Sequence, residues 1–205
     1  MNVTLIQQTE NPIGTIAKIA SICYDSNPKN PMGLVKHLYK NGHHSVFEHI
    51  YFTFKIEGIS RACSHQLVRH RQASFTQRSQ RYCSEDGFGY VKPTTIIEGS
   101  EEAALAYLEA IDQIKEGYDK LTELGIPNED ARFLLPNACH TELYMSCNLR
   151  ELMHIANERL CSRAQWEIRE LVQRMVDLVD PDLRFMLVPK CQSGRIICHE
   201  KCEKI

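Results

Sequence analysis

The sequence predicts one mixed α and β domain in which helices dominate. Its length of 205 residues suits a single hydrophobic core, because domains usually contain about 100–200 residues. Several segments carry apolar residues three and four positions apart, whereas two others alternate apolar and polar residues. The sequence contains no internal repeat and no low-complexity segment. We therefore expect one domain over residues 1–190, followed by a cysteine-rich tail over residues 191–205.

The first third of the chain is predicted to form two short helices and a strand. Apolar residues recur at helical spacing in residues 12–23 and 32–40, and Gly42 can close the second helix. In residues 51–59 apolar and polar side chains alternate, which is the two-residue period of a strand with one buried face.

The middle of the chain is predicted to contain a long helix, a short helix and a second strand. Ser100, followed by two glutamates, is the predicted N-cap of a helix that runs to about Leu124 and is stopped by Gly125. A short helix is expected over residues 128–135, because Pro136 cannot follow a helical residue easily. Weak alternation over residues 138–148 predicts the second strand.

Helical spacing returns in residues 149–161 and 164–179. The second of these helices is predicted to bury one apolar side against the core. The side chains that we place on this buried side are Trp166, Ile168, Leu171, Val172, Met175 and Leu178.

Composition favours a soluble cytoplasmic protein with reduced cysteines. No stretch reaches the roughly 18 uncharged apolar residues that a membrane span requires, and the amino terminus lacks the pattern of a signal peptide. Nine scattered cysteines, an odd number, fit free thiols better than a disulfide framework. The formal net charge of −2 argues against a surface that wraps nucleic acid.

One basic segment stands apart from this near-neutral background. Residues 61–84 contain five arginines, two histidines and no acid, and Ser60 is positioned to cap a helix over residues 61–70. Arginine presents a planar fork of donors that matches phosphate, so this segment resembles the lining of a phosphate pocket. A solvated basic face is the alternative interpretation. The residues that favour a pocket are Arg69, Arg71, Arg78 and Arg81, together with Ser74, Thr76 and Ser79.

Three separated blocks of sequence resemble the flavin-dependent thymidylate synthases. The block RHRQASFTQRSQRY at 69–82 is similar to the family signature, in which Arg-His-Arg is followed after seven residues by Ser. The blocks GHHSVFEH at 42–49 and NLRELMHIANERLCSRAQWEI at 148–168 resemble the family segments on either side. A single Arg-His-Arg would carry little weight, but three matches in the right order are specific.

The resemblance implies a reductive methylation of deoxyuridylate to thymidylate. Members of the family take the one-carbon unit from methylenetetrahydrofolate and the reducing hydride from NADPH through bound FAD, in a homotetramer with shared active sites. The implied fold is an α+β domain with a central, mostly antiparallel sheet and several flanking helices. It is not a Rossmann fold, and the sequence accordingly has no G-x-G-x-x-G turn after a strand.

The resemblance also assigns binding roles to individual positions, and Ser45 is expected to meet FAD from a neighbouring subunit. The positions that match cofactor-binding residues are Ser45, Glu48, Arg69, His70, Arg71, Gln77, Asn148, Arg150, His154 and Arg163. The positions that match nucleotide-binding residues are Gln66, Arg69, Gln77, Arg78, Ser79, Gln80, Arg81, Arg132 and Arg159.

Three residues are the catalytic candidates: Arg159, Ser79 and His43. The arginine matching Arg159 is proposed in the family to favour ionisation of nitrogen 3 of uracil, because a fixed cation stabilises a nearby anion. For Ser79 we expect a binding role, since no base at a short fixed spacing is evident to activate it. His43 is a candidate to relay a proton near neutral pH.

Several positions depart from the family pattern. Gln77 stands where glutamate is common, Thr76 and His154 where asparagine is common, and Arg163 where a histidine often faces the flavin. Together these changes remove one negative charge and add a positive one. They are expected to favour an anionic reduced flavin or a tighter hold on phosphates.

Two further interpretations and one candidate metal site stay open on sequence alone. Arginines interleaved with Phe75 and Tyr82 also suit a nucleic-acid-binding module, and another flavoprotein could catalyse a different reductive alkylation. The tail contains soft ligands at irregular spacing, which makes a zinc site a weak candidate. Those ligands are Cys191, Cys198, His199 and Cys202.

Overall fold

A computed structural model describes residues 1–194 together with Cys198 and His199. Within these residues, four strands form one antiparallel sheet in the order β1-β2-β4-β3. The strands are β1 (Asn2–Gln8), β2 (Tyr51–Ser60), β3 (Ser74–Gln77) and β4 (His140–Asn148). The predicted class, a mixed fold with a central antiparallel sheet and several helices, is confirmed.

The α-helices account for most of the remaining regular structure. They are α1 (Pro12–Ser21), α2 (Pro31–Lys40), α3 (Arg61–Leu67), α4 (Thr94–Ile97), α5 (Glu101–Glu123), α6 (Asn128–Ala131), α7 (Leu149–Arg159) and α8 (Trp166–Leu178). Short 3₁₀ helices occur at Ile22–Tyr24, Ser45–His49, Arg132–Leu134 and Pro181–Met186.

The helix boundaries follow from the capping residues that the sequence supplies. The Oγ of Ser60 accepts a hydrogen bond from Cys63 N at 2.9 Å, and the Oγ of Ser100 accepts one from Ala103 N at 3.1 Å. Gly42, with φ of 78°, ends α2 in the left-handed conformation that glycine adopts without a steric penalty. The predicted caps at these three positions are confirmed.

The two central strands carry the buried face of the sheet. In β2 the side chains of Phe52, Phe54 and Ile56 are buried, and in β4 those of Leu143 and Met145 are buried. Residues between them are more exposed, as expected for strands with one face on the core. The alternation that predicted these strands therefore reflects real burial.

The edge strands were not predicted. No residue of β1 is fully buried, because this strand lies at one end of the strand order, and its alternation between exposed and half-buried residues is weak. Strand β3 has only four residues and lies within the basic segment at 61–84, for which no strand was predicted. Short edge strands give little periodicity from which to recognise them.

The predicted buried side of α8 is wrong at both ends. Leu178 is 41% exposed and Trp166 is half-buried, whereas Val176 and Val179 are 5% and 1% exposed. The buried stripe advances by three and four residues from Ile168 to Val179, and the two mispredicted residues lie beside it.

The chain divides into two compact units. One comprises Met1–Asn2, Ile56–His65 and Thr76–Leu143, and the other comprises Val3–Lys55, Gln66–Phe75 and the described residues from Tyr144 onward. The proposed boundary at residue 190 stays a prediction. Among the helices of the described residues, none combines the length and apolarity that crossing a membrane demands.

Removing the buried ring of Phe54 should destabilise the protein strongly. Phe54 is 0% exposed in β2, so Phe54→Ala should lower the free energy of unfolding by about 3–5 kcal/mol. Tyr51 lies in the same strand and is 58% exposed, so Tyr51→Ala should change it by only about 0.5 kcal/mol. Urea unfolding of both variants measures the difference, and equal losses would contradict the assignment of the buried face.

Candidate active site

Arg159, at the carboxyl end of α7, is held along one edge of its guanidinium group. Its Nε donates a hydrogen bond to Nε2 of His70 at 3.0 Å, and its Nη2 donates one to the carbonyl oxygen of Gln66 at 3.2 Å. Among the described residues, none accepts a hydrogen bond from Nη1. The protein therefore fixes the plane of this cation while leaving its Nη1 end available to a ligand.

His70 is a neutral, buried imidazole of defined tautomer. Its side chain is only 6% exposed, and burial, with the nearby charges of Arg159 and His154, lowers its pKa to about 4. Because Nε2 accepts from Arg159, the single proton of the neutral ring must lie on Nδ1. The helix predicted over residues 61–70 ends earlier, at Leu67, so His70 lies three residues after α3, where it is buried.

Glu151 is a buried carboxylate that faces the other nitrogen of this imidazole. Its Oε1 lies 3.8 Å from Nδ1 of His70, and its side chain is 7% exposed. Burial raises the pKa of Glu151, and His154 opposes that shift. The backbone amide of Glu151 donates to Oδ1 of Asn148 at 2.9 Å, so the start of α7 fixes where this carboxylate lies.

A cavity of about 540 Å³ opens beside this group. Glu48 and Arg150 form an ion pair across part of its lining, and the ring of His154 meets that of His70 edge-on at 5.6 Å. The cavity thus offers both hydrogen-bond donors and acceptors. Its lining residues are His44, Glu48, Gln72, Asn148, Arg150, Glu151, Met153, His154 and Asn157.

Residues of the predicted nucleotide loop lie in the other compact unit, where two hydrogen bonds fix the side chain of Gln77. Its Nε2 donates to Ser64 Oγ and to Thr141 Oγ1, both at 3.0 Å. These two contacts use the amide nitrogen, so the side-chain oxygen is the group that can accept from a ligand.

Two carboxylates and one carbonyl oxygen hold the guanidinium group of Arg78. Its Nε donates to Glu85 Oε1 at 3.0 Å, its Nη2 donates to the Ser84 carbonyl oxygen at 3.2 Å, and its Nη1 lies 3.6 Å from Glu142 Oε1. The hydrogen bond to Glu85 raises the pKa of Arg78. Glu85 is itself buried, and its backbone amide donates to the hydroxyl of Tyr118. Arg78 therefore closes the loop that runs from residue 78 to residue 85.

Ser79 and Arg81 lie within this closed loop. Ser79 Oγ accepts from the Arg81 amide at 3.3 Å, and no described histidine or acid contacts the hydroxyl. The Nε of Arg81 pairs with Glu129 Oε2 at 2.6 Å, while Arg132 donates to the carbonyl oxygen of Glu129 at 3.0 Å. Glu129 therefore links Arg81 to Arg132, two of the predicted nucleotide-binding cations.

Gln80 donates a weak hydrogen bond to the sulfur of Cys139 at 3.7 Å. Several other predicted site residues are exposed side chains, and their roles stay predictions. They are His43, Ser45, Arg69, Arg71 and Arg163.

The cysteines of the core are poor nucleophiles. Burial raises the pKa of Cys139 to about 11 and that of Cys147 to about 12, so both thiols are protonated at neutral pH. In the part of the chain that the structure describes, no group of three potential ligands could hold a metal ion. Of the weak zinc candidates, Cys202 lies outside the described residues.

Sequence reasoning missed five residues of the cavity: His44, Gln72, Glu151, Met153 and Asn157. Glu151 follows Asn148 by three residues at a helix start, a spacing that indicates a capping box and nothing more. Only the fold brings it to His70, because the two residues are distant in sequence.

The low pKa of His70 predicts a contribution to stability that acid removes. Between its unfolded value of 6.5 and its folded value of about 4, the unfolded chain binds more protons. The contribution is therefore complete above pH 6.5 and is lost as the pH falls toward 4. The melting temperature of His70→Gln should fall less steeply over this range than that of the wild type.

The exposed His65 supplies the control for this titration. His65→Gln removes an exposed imidazole rather than a buried one and should follow the wild-type slope. Parallel slopes for wild type and His70→Gln would contradict the neutral state of His70.

Known proteins resemble this chain over most of its length. Residues 4–182 match the family model described as thymidylate synthase complementing protein. The flavin-dependent thymidylate synthase of Geobacter sulfurreducens is 42% identical over 209 residues, which cover 95% of this chain and 90% of that protein. The enzyme of the same name from Pyrococcus furiosus is 41% identical, over 86% of this chain and 78% of that protein.

Solved structures with the same fold include two nucleotide-binding enzymes. A UMP/dUMP methylase, PolB from Streptomyces cacaoi bound with 5-Br dUMP, is 25% identical with a TM-score of 0.81, over 90% of this chain and 93% of that one. Thymidylate Synthase X from Helicobacter pylori with FAD and dUMP is 21% identical with a TM-score of 0.76, over 96% of this chain and 100% of that one. By the family model and by these relatives, the chain belongs to the flavin-dependent thymidylate synthase family.

Proposed function

We propose that this protein converts deoxyuridylate to thymidylate, with methylenetetrahydrofolate as carbon donor and NADPH as reductant through bound FAD. The observation that carries the proposal is the fixed guanidinium of Arg159, held at Nε by a neutral imidazole and at Nη2 by a carbonyl oxygen. Family membership supplies the reaction class, and the arrangement of charge supports a place for the anionic substrate.

In this proposal Arg159 activates the pyrimidine. Carbon 5 of uracil is a weak nucleophile until nitrogen 3 loses its proton, and a cation beside that nitrogen lowers its pKa. Neither partner of Arg159 carries a negative charge, since one is a neutral imidazole and the other a carbonyl. Its positive charge is therefore not cancelled locally and remains available to an anionic ring.

The cavity lined by Glu151 and His154 suits FAD by the chemistry of its donors. Arg150 and Asn148 are proposed to meet phosphate or ring oxygens, and His154 and Gln72 add neutral hydrogen-bonding groups. Glu48, paired with Arg150, holds that guanidinium in place. When bound, FAD would supply the hydride that reduces the transferred one-carbon group to a methyl group.

The loop from residue 78 to residue 85 is proposed to hold the phosphate of deoxyuridylate. Arg81 and Arg132 provide the positive charge, and Ser79 and the loop amides provide hydrogen bonds. Glu129 occupies Arg81 with a carboxylate, so a phosphate would compete with this carboxylate for the same donor. We further propose a cytoplasmic homotetramer in which Ser45 reaches the FAD of a neighbouring subunit.

The test is anaerobic turnover of the purified protein with deoxyuridylate, methylenetetrahydrofolate and NADPH, with and without added FAD. Thymidylate that forms only with FAD present is the expected result. A flavin spectrum without thymidylate would point to another reductive alkylation, and a colourless protein with salt-dependent RNA binding would point to a nucleic-acid module. Turnover with uridylate in place of deoxyuridylate measures whether the protein discriminates between ribose and deoxyribose.

Replacing Arg159 with lysine should separate binding from turnover. A lysine ammonium keeps the charge but cannot make the two edge contacts together, so we expect FAD binding to persist while kcat falls by about 100-fold or more. Arg174→Lys makes the same change on the outer surface of α8, where Arg174 pairs with Glu170, and should leave kcat unchanged. Near-normal turnover of Arg159→Lys would rule out the role.

Removing the carboxylate of Glu129 should tighten nucleotide binding. An exposed ion pair contributes about 0.2–1 kcal/mol, so Glu129→Gln should lower the KM for deoxyuridylate by up to about fivefold, most clearly at low salt. Asp130→Asn removes a neighbouring exposed charge that does not pair with Arg81 and serves as the control. A raised KM in Glu129→Gln would show that Glu129 positions Arg81 rather than competing for it.

A further inference from the structure

We propose that Glu151 is a positioning residue that acts on Arg159 through His70. The proposal rests on the proposed function of Arg159, and it assigns the buried carboxylate a task that the sequence resemblance does not. Three side chains form a chain of contacts: carboxylate to imidazole at 3.8 Å, and imidazole to guanidinium at 3.0 Å.

The central link depends on which imidazole nitrogen carries the proton. Only the Nδ1–H form of neutral His70 leaves a lone pair on Nε2 for the Nε–H of Arg159. A carboxylate facing Nδ1 favours this form, because it attracts the N–H that points toward it. In the other tautomer two N–H groups would face each other, and Arg159 would lose its fixed plane.

Burial raises the energetic cost of the wrong tautomer of His70. Glu151 and His70 are 7% and 6% exposed, so water cannot easily replace a missing partner at Nδ1. The other titratable group against the imidazole is His154, whose ring lies edge-on to that of His70 and whose positive form would weaken the chain. Glu48 and Arg150, in the same cavity lining, neutralise each other.

A purely structural role for Glu151 predicts different behaviour. A carboxylate in the first turn of α7 stabilises the helix dipole by about 0.3–1 kcal/mol, whatever His70 does. Its loss would lower the melting temperature without changing the tautomer of His70. The tautomer is therefore the readout that separates positioning from helix stabilisation.

The experiment compares Glu151→Met, which removes the acceptor at similar volume, with Glu151→Gln, whose amide oxygen can still accept from Nδ1–H. We expect kcat for thymidylate formation to fall by about tenfold in Glu151→Met, with the KM for deoxyuridylate changed less, and to be largely retained in Glu151→Gln. Glu158→Met alters an exposed acid on the same helix and should leave both constants unchanged.

Imidazole nitrogen chemical shifts provide the second measurement, made on the full chain without substrate. The signal of His70, assigned by its absence in His70→Gln, should report Nδ1–H in the wild type and Nε2–H in Glu151→Met. Should Glu151→Met fail to fold, Glu151→Ala replaces it. Retention of Nδ1–H in the acceptor-free variant, or an unchanged kcat, would overturn the proposal.

A double-variant cycle provides the last measurement. If Glu151 acts through His70, Glu151→Met should cost no further activity in a His70→Phe background. An additive loss would overturn the proposal. A wild type that makes no thymidylate would instead remove the proposed function, while the chemical shifts would still report whether the carboxylate sets the tautomer.

Discussion

The hydrogen bond from Arg159 to His70 is the interaction on which the candidate site depends. A guanidinium can donate to an imidazole only when the imidazole is neutral, and burial is the largest cause of that neutrality. The fold buries His70 in the turn that follows α3 and places Arg159 at the end of α7, so the guanidinium meets an uncharged acceptor. An acidic partner would have bound the same cation more tightly, but it would also have cancelled the charge that an anionic ring requires.

Two arginines of the basic segment, Arg78 and Arg81, follow the opposite rule. The segment from residue 61 to residue 84 contains no acid, yet Arg78 pairs with Glu85 and Arg81 pairs with Glu129. These acids come from outside the segment, so a local excess of arginine did not indicate unpaired charge. The pairing holds Arg78 and Arg81 on a closed loop, where a phosphate would have to displace a carboxylate to reach Arg81. A phosphate can therefore bind Arg81 only by replacing a carboxylate, whereas the two acceptors that hold Arg159 are uncharged.

The elements that could be predicted are those whose physical cause is local. Ser60 and Ser100 cap helices because their hydroxyls reach amides three residues ahead, and Phe52 and Phe54 are buried because alternation places them on one face. Strand β1 could not be recognised, because its side chains are never fully buried and an edge strand takes its partner from distant residues. The error at Leu178 has the same origin, since the edge of a buried stripe is set by what packs against it.

The residues of the site likewise divide into those that a sequence motif identifies and those that only the tertiary structure reveals. A motif could identify Arg159 and His70 as functional, because their residue types and spacing match a known pattern. It could not predict that one accepts a hydrogen bond from the other, or that a third residue faces the remaining nitrogen. Glu151 was absent from the sequence-based site because an acid at the third position of a helix already has a sufficient local explanation as a cap. Its position against a buried imidazole is a property of the tertiary structure, and in a water-poor site such a neighbour determines where a single proton lies.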